Sequence, residues 1–189
     1  MIKELVYRNR SYRRFRQNKR ISRELLLELV DLARMSPSGR NIQSLKYYLS
    51  TDAELNEQIF PHLAWAGYLK EWDGPVDGER PAAYVVMLED TLVAQGMIHD
   101  QGIAAQSILL GAVEKGLGGC IIASVKKEAL AKVLGLPENL KIALVLAMGE
   151  PVEEVVVEPV GADGDIKYWR DDCHVHHLPK RSLQDIVVG

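Results

Sequence analysis

The stretch from about Leu92 to Lys115 constrains the fold most, because it predicts one long helix that is apolar or small-residue-rich on much of its surface. A helix of this kind lies at the centre of a domain or against another subunit. Gly116 to Gly119 then end it. Because this glycine run follows a helix instead of opening one after a strand, it is not a dinucleotide-binding fingerprint.

Shorter helices and strands are predicted around this central helix. Ser22 is a candidate N-cap for a second amphipathic helix, whose apolar stripe is formed by Leu25, Leu29, Leu32 and Ala33. Apolar and β-branched runs predict strands at 45–50, 82–88, 120–123 and 141–149. Further helices are predicted at 2–8, 52–60 and 126–134, with 10–15 as a turn or extended connector and 61–81 irregular.

The irregular stretch contains Trp65, Tyr68 and Trp72. Aromatic side chains in a loop usually pack that loop onto the domain, but here they could also form a lid over a flat ring system. The sequence leaves both interpretations open.

Length and composition place the chain among single-domain globular proteins of a reducing compartment. Its 189 residues are enough for one core, so we expect one domain over 1–189. It has no apolar run of membrane-spanning length, no secretory leader and only two cysteines, so a cytoplasmic protein is expected. After Pro151 the chain becomes acidic and rich in valine and glycine. The apolar end of 152–189 predicts a C-terminal extension that reaches a partner subunit.

The charge of the N-terminus raises the alternative of nucleic-acid binding. The first twenty residues carry eight lysines and arginines against one glutamate, although the whole chain has a net charge of −3. Tyr7, Tyr12 and Phe15 interleave with these cations, which favours a partly buried segment over a free basic tail. We therefore predict no nucleic-acid partner.

No side chain stands out as a catalytic group or metal ligand. His174 and His176 would share one face of an extended segment, but no second Cys/His pair completes a site, so none is predicted. Cys120 lies in an apolar strand and reads as a small core residue. The hydrolase elbow, the zinc-protease helix motif and the P-loop are all missing from the sequence.

Two short stretches instead suggest a ligand-binding site. Arg10, Ser11 and Arg13 supply guanidinium forks and a hydroxyl suited to a phosphate, and the two arginines would share a face if the segment were helical. The stretch Ser36–Gln43 combines turn residues with polar side chains that can face a ligand edge. A phosphate cradle without an evident catalytic side chain fits a cofactor that brings its own chemistry.

Together these stretches resemble the FMN-dependent nitroreductase family, and the resemblance covers nearly the whole chain. Its phosphate motif is matched by Arg10, Ser11, Tyr12 and Arg13. Its P-S-x-x-N-x-Q loop is matched by Pro37, Ser38, Gly39, Asn41 and Gln43. Its central helix and the strand after it are matched by 102–120. Its closing phosphate contact is matched by Pro179, Lys180 and Arg181.

The resemblance implies an α+β homodimer with a mostly antiparallel central sheet, flanking helices and a C-terminal strand exchanged between subunits. It also implies FMN at the dimer interface. Pro37 and Ser38 would approach the flavin from the opposite subunit, and Ile121, Ile122, Ala123 and Ser124 would lie near its reactive edge. Two residues depart from the pattern. Asn9 stands where many members have another arginine, and Ser44 stands where a proline usually follows the glutamine.

The function that follows is an NAD(P)H oxidoreductase that passes electrons through FMN to a nitroaromatic, a quinone or a similar electron-poor acceptor. The alternative is a flavin-binding sensor or carrier without turnover. In either case the side chains bind and orient the flavin, and none is assigned as catalytic.

Overall fold

A four-stranded antiparallel sheet forms the centre of the computed structural model, which describes residues 1–189. Its strands are β1 (Leu45–Ser50), β2 (Ala83–Asp90), β3 (Gly118–Ile122) and β4 (Leu140–Gly149), in the order β1-β2-β4-β3. Helices cover both faces of the sheet. The α+β class predicted from the sequence is therefore confirmed.

The alternation of side chains along the strands divides the core into two clusters. On one face of the sheet, Val85 and Met87 of β2 pack with residues of the second and fourth helices. On the other face, Tyr84, Val86 and Leu88 pack with residues near the third and fifth helices. Because β2 is buried on both faces, its sequence is almost continuously apolar, as the strand prediction assumed.

Five helices surround this sheet: α1 (Ile2–Arg8), α2 (Arg23–Arg34), α3 (Ala53–Ile59), α4 (Ile98–Glu114) and α5 (Lys127–Val133). The predicted cap of α2 is confirmed, because the Ser22 hydroxyl accepts a 3.1 Å hydrogen bond from the Leu25 amide. Asp52 caps α3 in the same way, at 2.8 Å from the Leu55 amide. Gly116 ends the turn after α4 with a φ of 76°, a left-handed conformation that favours glycine.

Some element boundaries, those of α4 and β3 among them, and one helix face differ from the sequence prediction. α4 begins at Ile98 and not at Leu92, because the Asp90 side chain and backbone hold a turn after β2 and Gly96 is left-handed. β3 begins two residues early and ends at Ile122, because Gly118 and Gly119 pair with β4. In α2 the buried residues are Leu26, Leu29 and Ala33, whereas Leu32 is 45% exposed and Leu25 is half-buried.

A second, three-stranded sheet forms from the C-terminal region. It contains β5 (Val155–Pro159), β6 (Trp169–Arg170) and β7 (His176–Lys180), with β7 in the middle, parallel to β5 and antiparallel to β6. A last short helix, α6, spans Leu183–Ile186. Much of the predicted 152–189 extension thus folds into a sheet of its own chain, while 181–189 are exposed throughout. Exchange of this end between subunits stays a prediction.

No helix in the chain combines the length and the apolar character needed to cross a membrane.

Candidate functional site

The connector from Arg10 to Phe15 is extended, not helical, and it runs beside the start of β3. Ser11 forms a parallel bridge with Gly119, and the Tyr12 amide donates a 3.1 Å hydrogen bond to the Gly119 carbonyl. Further on, Phe15 bridges to Pro151. The turn or extended connector predicted for 10–15 is therefore confirmed, and the shared face of Arg10 and Arg13, which required a helix, does not form. The connector instead carries Arg13 to the cleft beside β3.

The two arginines of the predicted phosphate motif, Arg10 and Arg13, have separate partners. Arg10 donates from Nε to the carbonyl of Tyr7 at 3.1 Å and from Nη2 to the carbonyl of Val6. These carbonyls belong to the C-terminal turn of α1, where a cation also complements the helix dipole. Arg10 thus caps α1 in this structure, which sequence inspection did not predict.

Arg13 is buried, with 8% of its surface exposed. Its Nη1 lies 3.1 Å from the Ser11 carbonyl and 3.3 Å from Nε2 of His176, and its guanidinium lies 4.8 Å from the centroid of the Tyr168 ring. Nε and Nη2 have no hydrogen-bond partner in the chain, and the side chain forms no salt bridge. A buried cation without a carboxylate is costly unless something else pairs with it.

The nearest buried carboxylate, Glu153, is used elsewhere. It accepts hydrogen bonds from the backbone amides of Arg13 and Arg14 and forms a 2.9 Å salt bridge with Nη2 of Arg170. Its side chain is fully buried. Glu153 therefore fixes the backbone of the connector and neutralises Arg170, but leaves the charge of the Arg13 side chain uncompensated.

His176 is the remaining polar neighbour of Arg13, and it is completely buried on β7. Burial, followed by the charges of Arg13, Arg170 and His177, lowers its pKa from 6.5 to about 4. The imidazole is therefore uncharged near neutral pH. Since Arg13 can only donate, Nε2 is the acceptor and the proton lies on Nδ1, which has no partner.

Arg13 opens on a cleft of about 130 Å³ at the end of β3. Four residues of the loop 64–67 and five residues of 120–124 line it with Arg13, including the predicted Ile121, Ile122, Ala123 and Ser124. The structure thus brings one phosphate-motif residue together with the predicted flavin-edge segment. Ile121, Ala123 and Ser124 are exposed, and Ile122 is buried in the core.

The aromatic residues of the neighbouring loop pack it onto the domain, as one of the two interpretations predicted. Trp65 is buried against Phe60, with ring centroids 5.7 Å apart. The rings of Tyr68 and Tyr168 pack in a tilted arrangement with centroids 4.9 Å apart, and the Tyr168 hydroxyl accepts a hydrogen bond from the Tyr68 amide at 3.3 Å. Trp72 lies 4.1 Å below the Arg170 guanidinium. The loop is thereby tied to the C-terminal sheet, and its role as a lid stays a prediction.

The second predicted motif forms a strained turn at a different place. The Ser38 hydroxyl donates to Oδ2 of Asp100 at 2.6 Å, and the Gly39 amide donates to Oδ1 at 3.0 Å. The Gln43 amide donates to the Ser38 hydroxyl at 3.0 Å. Three non-glycine residues here have a left-handed φ: Arg40 (52°), Asn41 (57°) and Gln43 (55°). Such strain persists only when the surroundings hold it, and it is common at functional sites.

Asp100 is the residue of this turn that sequence reasoning missed. It is 95% buried in the first turn of α4 and lines a cleft of about 160 Å³ with Pro37, Ser38 and Gln43. A carboxylate in the first turn of a largely apolar helix was the available signal, because such a group is almost always paired when buried.

The two clefts share no lining residue, so one chain does not unite the two motifs. This separation is compatible with the expectation that Pro37 and Ser38 approach the flavin from the opposite subunit. Asn41 is exposed near the second cleft, and Lys180 and Arg181 are exposed at and after the end of β7, outside both clefts.

A cavity larger than these two clefts lies elsewhere and contains none of the predicted site residues. It encloses about 710 Å³ near α3 and the segment 77–82. Its central amide, Gln17, is satisfied within the chain: Nε2 donates to Glu57 and Asp77, and Oε1 accepts from the amides of Gly78 and Arg80. Size alone does not make this polar cavity a site. Nowhere do three His, Cys, Asp or Glu side chains converge to hold a metal ion.

The family model of the nitroreductase family matches residues 6–150. The chain belongs to the nitroreductase family. The matched range contains both motifs, the central sheet and the cleft beside β3, whereas the C-terminal sheet lies beyond it. The resemblance inferred from the sequence is thereby confirmed.

Individual relatives within this family are distant. The Cr(VI) reductase of Pseudomonas sp. strain G-1 is 27% identical over 183 residues, which cover 84% of this chain and 70% of that protein. The NADPH-flavin oxidoreductase of Vibrio harveyi is 39% identical over 62 residues, which cover 32% of this chain and only 26% of that protein. The FMN-dependent nitroreductase from Clostridium difficile R20291 superposes with a TM-score of 0.64 at 20% identity, covering 79% of this chain and 87% of that one. This last likeness shows the fold.

Proposed function

We propose that this nitroreductase-family protein is an oxidoreductase that uses FMN to transfer electrons from NAD(P)H to a small electron-poor acceptor, such as a nitroaromatic or a quinone. The observation that carries the proposal is the buried Arg13 side chain, which lines a cleft and has no carboxylate partner. A protein tolerates such a charge when a bound anion completes it, and FMN supplies one.

The names of the relatives support the same chemistry. One relative is named a Cr(VI) reductase, another an NADPH-flavin oxidoreductase, and a protein of the same fold is named FMN-dependent. All three names describe electron transfer, and two of them specify a flavin.

The residues of the cleft fit FMN in kind. Arg13 has two nitrogens free to donate, Ser11 is exposed beside it, and Ala123 and Ser124 are exposed residues. When bound, FMN accepts a hydride from the nicotinamide and passes electrons to the acceptor. The chain binds the cofactor, fixes its orientation and shields one side of it with the loop 64–67.

The site is completed by a second copy of the chain in this proposal. One copy would hold the flavin with Arg10, Ser11, Tyr12 and Arg13. The second copy would contact this flavin with its Pro37, Ser38, Gly39, Asn41 and Gln43. Lys180 and Arg181 would close over the phosphate. Two observations support this arrangement: the two clefts are separate within one chain, and the apolar end at Leu183, Ile186, Val187 and Val188 is exposed.

The deciding experiment is an absorbance spectrum of the purified protein, followed by chromatography of the cofactor released by heat. Flavin bands and FMN are expected, and NADH or NADPH should bleach the bands, with reoxidation by a nitroaromatic or quinone. FAD, or no flavin after reconstitution, would contradict the proposal. Bound FMN that neither nicotinamide reduces would instead identify a sensor or carrier.

A further inference from the structure

We propose that His176 is a positioning residue for the cofactor: it holds the Arg13 guanidinium at the cleft as an uncharged hydrogen-bond acceptor and so leaves the Arg13 charge available to an anionic atom of FMN. This inference rests on the proposed function, and it concerns a residue outside the range matched by the nitroreductase family.

The geometry of the pair carries the first step. His176 lies on the central strand of the C-terminal sheet, and its Nε2 is 3.3 Å from Nη1 of Arg13. The same nitrogen of Arg13 also donates to the Ser11 carbonyl, so Nη1 is anchored on the protein side while Nε and Nη2 stay free. Tyr168 lies against both groups, 4.8 Å from the guanidinium and 5.2 Å from the imidazole. These contacts hold the guanidinium on its protein side.

The chemistry of the acceptor carries the second step. A carboxylate at position 176 would bind Arg13 more strongly, but it would also neutralise the charge that a phosphate needs. The structure keeps the buried carboxylate of this region, Glu153, on Arg170 and on backbone amides. A neutral imidazole fixes the guanidinium and leaves its charge intact.

The cost of this arrangement supports a functional reading. Nδ1 of His176 is buried without a partner, and an unsatisfied buried donor lowers the stability of the fold. An apolar side chain of similar volume would avoid that cost if packing were all that position 176 provided. The hydrogen bond to Arg13 is the feature that only an acceptor supplies.

The anionic atom that Arg13 meets has two possible locations on FMN. One is the terminal phosphate, and the other is the edge of the ring, which gains negative charge on reduction. Arg13 shares its cleft with Ala123 and Ser124, which the family resemblance places near the ring. The experiment therefore measures both possibilities.

The test compares His176→Leu, which removes the acceptor, with His176→Gln, which keeps an uncharged acceptor. His177→Gln is the matched control, because His177 is the adjacent residue and contacts Glu158, Asp171 and Trp169 instead of Arg13. Apo-protein of each variant is titrated with FMN and with riboflavin by flavin fluorescence, and the midpoint potential of the FMN form is measured by spectroscopic reduction.

A phosphate role predicts that His176→Leu weakens FMN binding about tenfold, the loss expected for one charge-assisted contact, and leaves riboflavin binding unchanged. A ring role predicts a lower midpoint potential. In either case His176→Gln restores the wild-type value, and His177→Gln matches wild type throughout. A purely structural role would weaken FMN and riboflavin equally, with the potential unchanged and no recovery in His176→Gln, and that result would overturn the inference.

A further variant covers the case in which His176→Leu does not fold. His176→Glu places a carboxylate between Arg13 and Arg170, so it keeps the acceptor and removes the free charge. It should fold and bind FMN at least tenfold more weakly than His176→Gln. Equal FMN affinity of the Glu and Gln variants would overturn the inference. If wild type binds no FMN at all, the proposed function itself fails, which is a distinct outcome.

Discussion

The Ser38 hydroxyl donates a 2.6 Å hydrogen bond to Oδ2 of Asp100, which joins the loop after α2 to the first turn of α4. The same hydroxyl accepts from the Gln43 amide, and the second carboxylate oxygen accepts from the Gly39 amide. The hydroxyl of Ser38 is thus occupied by the protein. Ser38 would therefore contact a ligand across the subunit interface through its backbone, and Asp100 would hold the loop in place.

Replacing Asp100 by alanine should lower both stability and cofactor affinity. The substitution leaves the Ser38 hydroxyl and the Gly39 amide without their acceptor in a loop with three left-handed residues. We expect a loss of about 2–4 kcal/mol in the free energy of unfolding, measured by urea denaturation. FMN affinity should fall as well, because the loop loses its orientation.

Asp31→Ala is the control for this prediction. Asp31 pairs with Arg34 on the surface of α2, where an ion pair contributes about 0–1 kcal/mol. Asp100→Asn should lie between the two, since an amide oxygen can still accept from Gly39. Equal stability of Asp100→Ala and Asp31→Ala would mean that Asp100 does not hold the loop.

Arg13→Ala should weaken FMN binding about ten- to hundredfold, because a charge-assisted contact contributes about 1.5–3 kcal/mol. Arg16 is the control: it is exposed and paired with Glu150, so Arg16→Ala should change FMN affinity by less than about fivefold.

Arg10→Ala removes the cap of α1 as well as a motif cation. We expect it to lower thermal stability and FMN affinity together, whereas Arg13→Ala acts mainly on affinity.

Arg181→Ala tests whether the C-terminal end of the chain contacts the FMN phosphate, separately from the N-terminal phosphate motif. If the exposed C-terminal end closes over the phosphate, this variant should bind FMN about ten- to hundredfold more weakly than Arg16→Ala in the same fluorescence titration. An affinity equal to that of Arg16→Ala would remove Lys180 and Arg181 from the proposed site, while leaving the role of Arg13 to be judged on its own.

Most of the central sheet could be predicted from the sequence because its signals are local. The apolar strand at 141–149, the Ser22 cap and the glycine stop after α4 act through neighbouring residues. The contact between Arg13 and His176 could not be predicted, because the two residues are 163 positions apart in the chain. The other contact of the Arg13 side chain, with the Ser11 carbonyl, is only two positions away. The C-terminal sheet was likewise missed, since β6 has two residues and β5 pairs in parallel with a strand about twenty positions later.

Truncation after Lys180 tests the predicted dimer. The residues removed are all exposed in one chain, and Leu183, Ile186, Val187 and Val188 present an apolar surface that a partner would cover. We expect wild type to sediment as a dimer at micromolar concentration and the truncated chain to dissociate and to lose FMN. A folded monomeric wild type, or a truncated chain that stays dimeric and flavin-bound, would contradict this role of the C-terminal end.

Stability should depend on pH through His176 with a definite sign. Its pKa is about 4 in the folded protein and 6.5 when unperturbed, so between these values the unfolded chain binds a proton that the folded chain does not. The contribution of His176 to the free energy of unfolding is therefore complete above pH 6.5 and is lost as the pH falls towards 4. The pH dependence from His177 has the opposite sign. Burial lowers its pKa, but hydrogen bonds to Glu158 and Asp171 outweigh burial and raise the pKa, so the contribution of His177 to stability is lost as the pH rises.

In urea denaturation at a series of pH values, His176→Gln should lose less stability than wild type between pH 6.5 and 4. His177→Gln should keep that acid loss. An acid limb that is identical in wild type and His176→Gln would show that His176 is not held neutral by burial and by the charges of Arg13 and Arg170.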